Sequence, residues 1–140
     1  MEKTENYRLN QWDAQDAILR EDFNADNAKI DAALAAGAKI AIGSYVGTGT
    51  YGADNPNSLT FEFEPKIIIV TQSKASSASD MFLALRGQTG YTHFGSNGGY
   101  YNGSCAWDGN TVSWWCTNDS VGANVQFNRT GLTYHYLVVG

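Results

Sequence analysis

From Gly43 onward the chain consists of short β-prone runs separated by glycine and asparagine, and this punctuation predicts an all-β fold. The run 58–63 alternates, with Leu59, Phe61 and Phe63 against Thr60 and Glu62. Glu64-Pro65 closes it, because a residue before proline is kept out of the helical region and proline has no N–H for a central ladder. Residues 66–72 are continuously apolar at their centre and are expected to form a central strand, and 81–87 form another. The chain closes with a strand at 125–128, a turn at Arg129 to Gly131, and an apolar strand at 133–140 that ties the C-terminus into a sheet. About eight such strands predict an antiparallel β-sandwich, jelly-roll-like, over residues 43–140.

One hairpin can be read residue by residue. Asp108-Gly109 lies between two β-prone runs, a strong two-residue turn signal. Placing the turn there pairs Trp107 with Asn110, Cys105 with Val112, Gly103 with Trp114, and Tyr101 with Cys116. One face then carries Tyr101, Cys105, Trp107, Val112, Trp114 and Cys116, with Gly103 making room for the Trp114 ring. The other carries Tyr100, Asn102, Ser104 and Ala106 opposite Thr111, Ser113 and Trp115. A three-residue turn would mix apolar and polar residues on both faces. In this register the two cysteines are about 13 Å apart along the ladder. A disulfide needs Cα atoms within about 7 Å, so both are expected as free, buried thiols.

Residues 1–42 read differently. A polar lead-in to Trp12 precedes a segment rich in Ala, Asp and Asn without proline. Its apolar stripe runs Trp12, Leu19, Phe23, Ile30, Leu34 at helical spacing. Asp22 is the expected N-cap of a helix reaching about Ala36, with Gly37 as its stop; a helix from about Asp13, bent near Asp22, is the alternative. The positions Leu19, Phe23, Asn27, Ile30 and Leu34 approximate a coiled-coil seam, in which a buried Asn27 would set register and copy number. Self-association, mainly as a homotrimer, is expected through these five residues, with packing against the chain's own β domain or against a host assembly as the other covers. The junction lies between residues 37 and 43.

Composition narrows the function classes. Residues 41–140 carry only six acids and four bases, and the whole chain has a net charge of −5. No basic stripe is available to follow phosphates, so no nucleic-acid partner is expected. No apolar run approaches the length of a membrane span, so no membrane insertion is expected, and the opening segment has no signal-peptide core. Work outside a cell would then require release by lysis or as part of a larger assembly. The sequons at Asn102, Asn118 and Asn128 read as chance matches in an asparagine-rich chain.

Chemistry-bearing patterns are sparse. His93 and His135 lack an acid or cysteine at ligand or triad spacing, and Cys105 and Cys116 lack the spacing of a zinc or redox pair. Glu62 and Glu64 share a strand face but adjoin the proline turn, and the glycine-rich stretches lack a phosphate loop's lysine. The expectation is no enzyme, no metal and no cofactor. Glycan binding asks for less: an aromatic ring for the apolar sugar face and amides or hydroxyls for its polar edge. Tyr100, Asn102 and Trp115, with Asp108, Asn110, Asn118 and Asp119 at the hairpin ends, are the candidate ligand-binding set. The same face could instead be covered by a sheet or a neighbouring subunit, because exposed tryptophan usually needs a cover.

Two segments carry a resemblance. NQWDAQDAILREDFNADNAKIDAAL is similar to the N-terminal segment of tail-fibre and tail-appendage proteins of phages and prophages of Firmicutes, where W…D…REDFN.DN.KI..A recurs. GSYVGTGTYGADNPNSLTFEFEPKIIIV and the ending TYHYLVVG resemble the small β domain that follows it. The resemblance implies a homotrimer at a tail tip or baseplate, in contact with other phage tail proteins and with a bacterial surface polysaccharide. It places Phe23, Asn24, Asp26, Asn27, Lys29 and Ile30 in the trimerising or attaching segment and the protein in the virion, made in the host cytoplasm. A long fibre shaft is missing, which leaves a compact appendage, a truncated fibre or a tail-tip piece. The functional expectation is receptor binding, with a purely structural virion protein as the alternative and a glycan-degrading enzyme third.

Overall fold

The computed structural model describes residues 2–73, 81–94, 100–118 and 120–140, with the side chains of Phe94 and Tyr100 outside that description, as is Asp119. The chain divides into two compact units, residues 1–38 and 39–140.

In the first unit, strands β1 (Glu2–Lys3) and β2 (Asn10–Gln11) pair antiparallel, and helix α1 spans Arg20–Ala35. The helix begins a turn earlier than an Asp22 cap would allow. Its N-cap is Leu19, which makes no side-chain cap, and the Phe23 N–H already bonds to the Leu19 carbonyl. Asp22 instead joins Glu21 in the first turn, where the helix dipole favours negative charge. Asp26 is the one buried residue of α1. One of its carboxylate oxygens accepts the Asn10 backbone N–H at 2.7 Å and the other accepts Lys29 Nζ at 3.0 Å. Burial opposes the charge, but these two donors hold the carboxyl below the usual range. Within this unit Leu19, Phe23, Ile30 and Leu34 stand 56, 57, 41 and 74% exposed, so the apolar stripe lies open along α1.

The second unit is mainly β, built from two four-stranded antiparallel sheets. The first orders β3 (Ile40–Val46), β10 (Thr133–Val139), β5 (Ile67–Gln72) and β6 (Met81–Leu85). The second orders β4 (Asn57–Thr60), β9 (Thr111–Trp115), β8 (Tyr100–Asp108) and β7 (Gly90–Phe94). Ile40 and Ile42, expected in the first unit, are the opening of β3. The strand β5 is interior to its sheet, as its continuous apolar run predicts. Backbone bonds in both directions between Lys39 and Gly140 fasten the final residue to β3.

Side chains from both sheets meet in one core, with Ile68, Val70, Phe82 and Ala84 from the first and Tyr91, Cys105, Val112 and Trp114 from the second. Aromatic rings supply much of its contact: Phe82 stacks on Tyr91 at 4.3 Å and meets Phe127 edge-on at 4.9 Å.

Three expectations are corrected. The run 58–63 is a strand only to Thr60; the Phe61 N–H then bonds to the Asn110 carbonyl, and Phe61 and Phe63 turn partly inward against the core. Residues 125–128 are not a strand. They follow a one-turn helix, α2 (Gly122–Val125), and Phe127 takes a left-handed φ of 58° that no ladder accommodates. The hairpin keeps a two-residue turn, but its central residues are Gly109 and Asn110, so Asp108 pairs with Thr111, Trp107 with Val112, and Cys105 with Trp114. Gly109 takes the positive φ, 51°. Because the register moves by a whole pleat, every residue keeps the face the sequence assigned to it. Both cysteines are free and buried.

The sheet β3-β10-β5-β6 is apolar on both sides. Its registers align Ile40, Val139, Ile67 and Leu85 in one row across the outer face, and Ile42, Leu137, Ile69 and Leu83 in the next. A third row is Ser44, His135, Thr71 and Met81. Ile40, Ile42, Met81, Leu83 and Leu85 are all exposed. Among the described residues no helix is long and apolar enough to cross a membrane.

Candidate binding face

The outer face of the other sheet has the opposite chemistry. Its rows are Thr60, Thr111 and Asp108; Ser58, Ser113 and Ala106; Trp115, Ser104 and Gly90; and Asn102 with Thr92. Hydroxyls pair across the strands, with Ser58 and Ser113 at 3.0 Å and Thr60 and Thr111 at 2.8 Å. The Thr92 hydroxyl donates to the Asn102 side-chain carbonyl at 3.2 Å. These pairs hold short polar side chains in fixed orientations on a flat support, with Asp108 as the one charged residue of the rows.

Trp115 is half-buried at the end of β9. Its row neighbours are Ser104 and then Gly90, small residues that leave the space beside the indole low, and Asn102 lies one pleat further along β8. Asn102 also lines an open groove of about 450 Å³ together with Thr92, Gly90, Gln88, Tyr91 and residues of β6. An indole beside a polar, uncharged floor is suited to a ligand with one apolar face and hydroxylated edges.

The structure gathers only part of the expected set. Asn102 and Trp115 lie at one end of the hairpin. Asp108 and Asn110 lie at its turn, six or more residues along the strand from Asn102, or about 20 Å at the usual rise. Asn118 is exposed beyond β9, and its side-chain oxygen accepts the Ser120 N–H, so it is occupied in shaping a turn. Tyr100 belongs to β8 on the same backbone face as Asn102, while its side chain and Asp119 lie outside the described residues. Ser58 and Thr60 join the face through β4, whose alternation was visible in the sequence, and Thr92 through β7, a strand that its glycine-rich surroundings make read as a loop; the pairing of neither was visible.

Four other polar residues make contacts within the β unit. Gln126 is fully buried, its Oε1 accepting the Gly52 and Cys116 backbone N–H groups at 2.9 and 3.0 Å, and its Nε2 donating to the Asn55 carbonyl at 2.7 Å. Asn128 similarly holds Thr48 and Thr50 through both ends of its amide. His93 is buried and meets the Phe127 ring edge-on at 4.9 Å, and His135 Nε2 lies 3.0 Å from the Ser73 hydroxyl. Among the described residues no group of three or more His, Cys, Asp or Glu side chains is placed to hold a metal ion. Comparison with family models, with curated proteins and with solved structures finds no match to this chain.

Proposed function

We propose that this chain is a phage tail attachment protein that binds a neutral bacterial surface polysaccharide through the outer face of β4-β9-β8-β7. The observation that carries the reading is the placement of Trp115 beside Ser104, Gly90 and Asn102 on a face of paired hydroxyls with almost no charge. A pyranose would lay its C–H face on the indole, and its hydroxyls would exchange bonds with Asn102, Ser104 and Thr92. The resemblance of the N-terminal segment and of the two β motifs to tail-fibre proteins of Firmicutes phages supports the biological setting: a virion component, made in the host cytoplasm. We read the two sheets as halves of a β-sandwich, jelly-roll-like in that the first long strand, β3, lies beside the last, β10.

The alternative, a structural virion protein without a ligand, draws support from the bare apolar face of the first sheet, which is suited to burial in an assembly. The glycan-degrading alternative has no supporting geometry among the described residues. An array of bacterial cell-wall and capsular polysaccharides separates the readings. The wild-type chain should bind a neutral polysaccharide, and Trp115→Ala should lose at least tenfold in affinity while keeping its near-UV circular dichroism. Equal binding by the folded variant would refute the face; no binding by the wild type would favour the structural reading.

A further inference from the structure

Resting on the glycan reading above, we infer that the open groove between β6 and β7 is a subsite for an acetamido group. The polysaccharide on this face then carries an N-acetylated amino sugar. β6 and β7 are edge strands of different sheets, and residues of both line the groove of about 450 Å³. In an antiparallel ladder the N–H and C=O of successive residues point alternately toward the partner strand and away from it. The Arg86 N–H donates to the Lys66 carbonyl at 2.7 Å, so Arg86, Ala84 and Phe82 bond to β5. Leu83, between two of them, turns its N–H and C=O off the edge of the sheet. Likewise the Cys105 N–H donates to the Thr89 carbonyl at 2.9 Å, so Gly90 and Thr92 turn theirs away from β8. Among the described residues no backbone bond joins the two edges. Amide groups therefore border the groove on both sides.

An acetamido group matches this lining. It is a neutral amide with one N–H, one C=O and a methyl group. A strand edge would satisfy the first two as it satisfies a neighbouring strand, and the methyl would meet the apolar floor, where Phe82 stacks on Tyr91 at 4.3 Å. None of the lining residues is charged. An unacylated amine would find no carboxylate there and a uronate no base, and enclosing either charge unpaired is costly. The position also fits. Trp115, Ser104 and Gly90 form one row over three neighbouring strands, about 10 Å across at the usual spacing. With one sugar ring on the indole, the next ring of the chain lies over Ser104 and Gly90, at the edge of the groove. An extended peptide also pairs with strand edges, but the Leu85 end of β6 is already closed. The Leu85 N–H donates to Gln88 Oε1 at 2.8 Å, and the Leu85 carbonyl accepts the Gln88 N–H at 3.0 Å. That leaves Leu83 and Met81 on β6, a run too short for an added strand.

The test compares each polysaccharide retained on the array with the same material after de-N-acetylation and after re-N-acetylation. All retained polysaccharides should contain an N-acetylated amino sugar. Removing the acetyl groups should lower affinity by about tenfold or more, and restoring them should recover it. On the protein side, Leu83→Pro removes the outward N–H at an edge position where proline is tolerated. It should cost about tenfold in affinity with unchanged near-UV circular dichroism, whereas Leu83→Ala, which keeps the N–H, should lose less. Should Leu83→Pro fail to fold, the polymer comparison decides. A retained polysaccharide without an acetamido group, still lost by Trp115→Ala, would overturn the subsite and leave the Trp115 face standing. Equal affinity for the de-N-acetylated polymer, or equal affinity of a folded Leu83→Pro, would overturn it too. A chain that binds no polysaccharide would remove the glycan reading itself, and the subsite with it.

Discussion

The ring of Tyr91 lies against Gly103, its cross-strand partner between β7 and β8, and occupies the space where any side chain at position 103 would begin. The Tyr91 hydroxyl continues past the glycine to donate to the Val125 carbonyl at 3.0 Å in the core. A methyl group at position 103 would displace a ring that is also stacked on Phe82. Gly103→Ala is therefore expected to destabilise the β unit by about 1–3 kcal/mol, the usual cost of overpacking. Chemical denaturation should show a lower midpoint with an unchanged slope.

Gln126 holds two segments through one side chain, the β3–β4 loop at Gly52 and Asn55 and the end of β9 at Cys116. Its replacement by leucine would strand the buried Cys116 N–H and leave Gly52 N–H and the Asn55 carbonyl without the partner they now have. Leaving one buried polar group unpaired costs about 1–3 kcal/mol, so Gln126→Leu is expected to lose at least about 3 kcal/mol in the same denaturation experiment.

The β unit should be sensitive to alkali. Burial pushes the Tyr45 and Tyr91 hydroxyls well above the ordinary tyrosine value of 10.0. Both remain protonated in the folded chain, whereas the unfolded chain loses these protons near pH 10. Stability is thus fully present below about pH 10 and falls as pH rises beyond it. Thermal midpoints followed from pH 8 to 11 should drop at the alkaline end, and Tyr91→Phe should lessen that dependence even though it lowers stability at neutral pH.

The two thiols should be silent in the native state. Cys105 and Cys116 are 4 and 1% exposed, and burial pushes the Cys105 thiol up, away from the reactive thiolate. Titration with an aromatic disulfide reagent should report slow labelling of the folded protein and two equivalents on denaturation, with or without prior reductant.

Local chemistry made much of this fold legible. The apolar run at Ile67–Val70, the alternation at Leu59 and the close of the chain at Thr133–Val139 each state their own strand, because period and β-branching act within a few residues. The faces of the β8-β9 hairpin were legible for the same reason. Its cross-strand partners were not, since Gly109-Asn110 and Asp108-Gly109 are both acceptable turns and differ by a shift that preserves the faces. The ring over Gly103 was expected to be Trp114 and proves to be Tyr91, which comes from β7, a strand whose pairing is tertiary. Val125 to Asn128 show the β-prone alternation of a strand, yet Gln126 holds both the β3–β4 loop and the end of β9, and α2 with a left-handed Phe127 delivers it. Of the candidate site, Trp115 and Asn102 were within reach of local pattern; the pairing of β7 and β4 that sets Thr92 and Ser58 on the same face was not.

On the proposed reading the polar outer face of β4-β9-β8-β7 takes the ligand and the apolar outer face of β3-β10-β5-β6 does not. Backbone amide chemical shifts of the full chain, recorded with and without the polysaccharide found by array, test it most directly. Perturbations are expected to concentrate at Asn102, Ser104, Ser113, Trp115 and Thr92 and to leave Ile40, Ile42, Ile69 and Leu137 unmoved. Perturbations centred on Ile42, Ile69 and Leu137, with Trp115 and its neighbours unchanged, would contradict it.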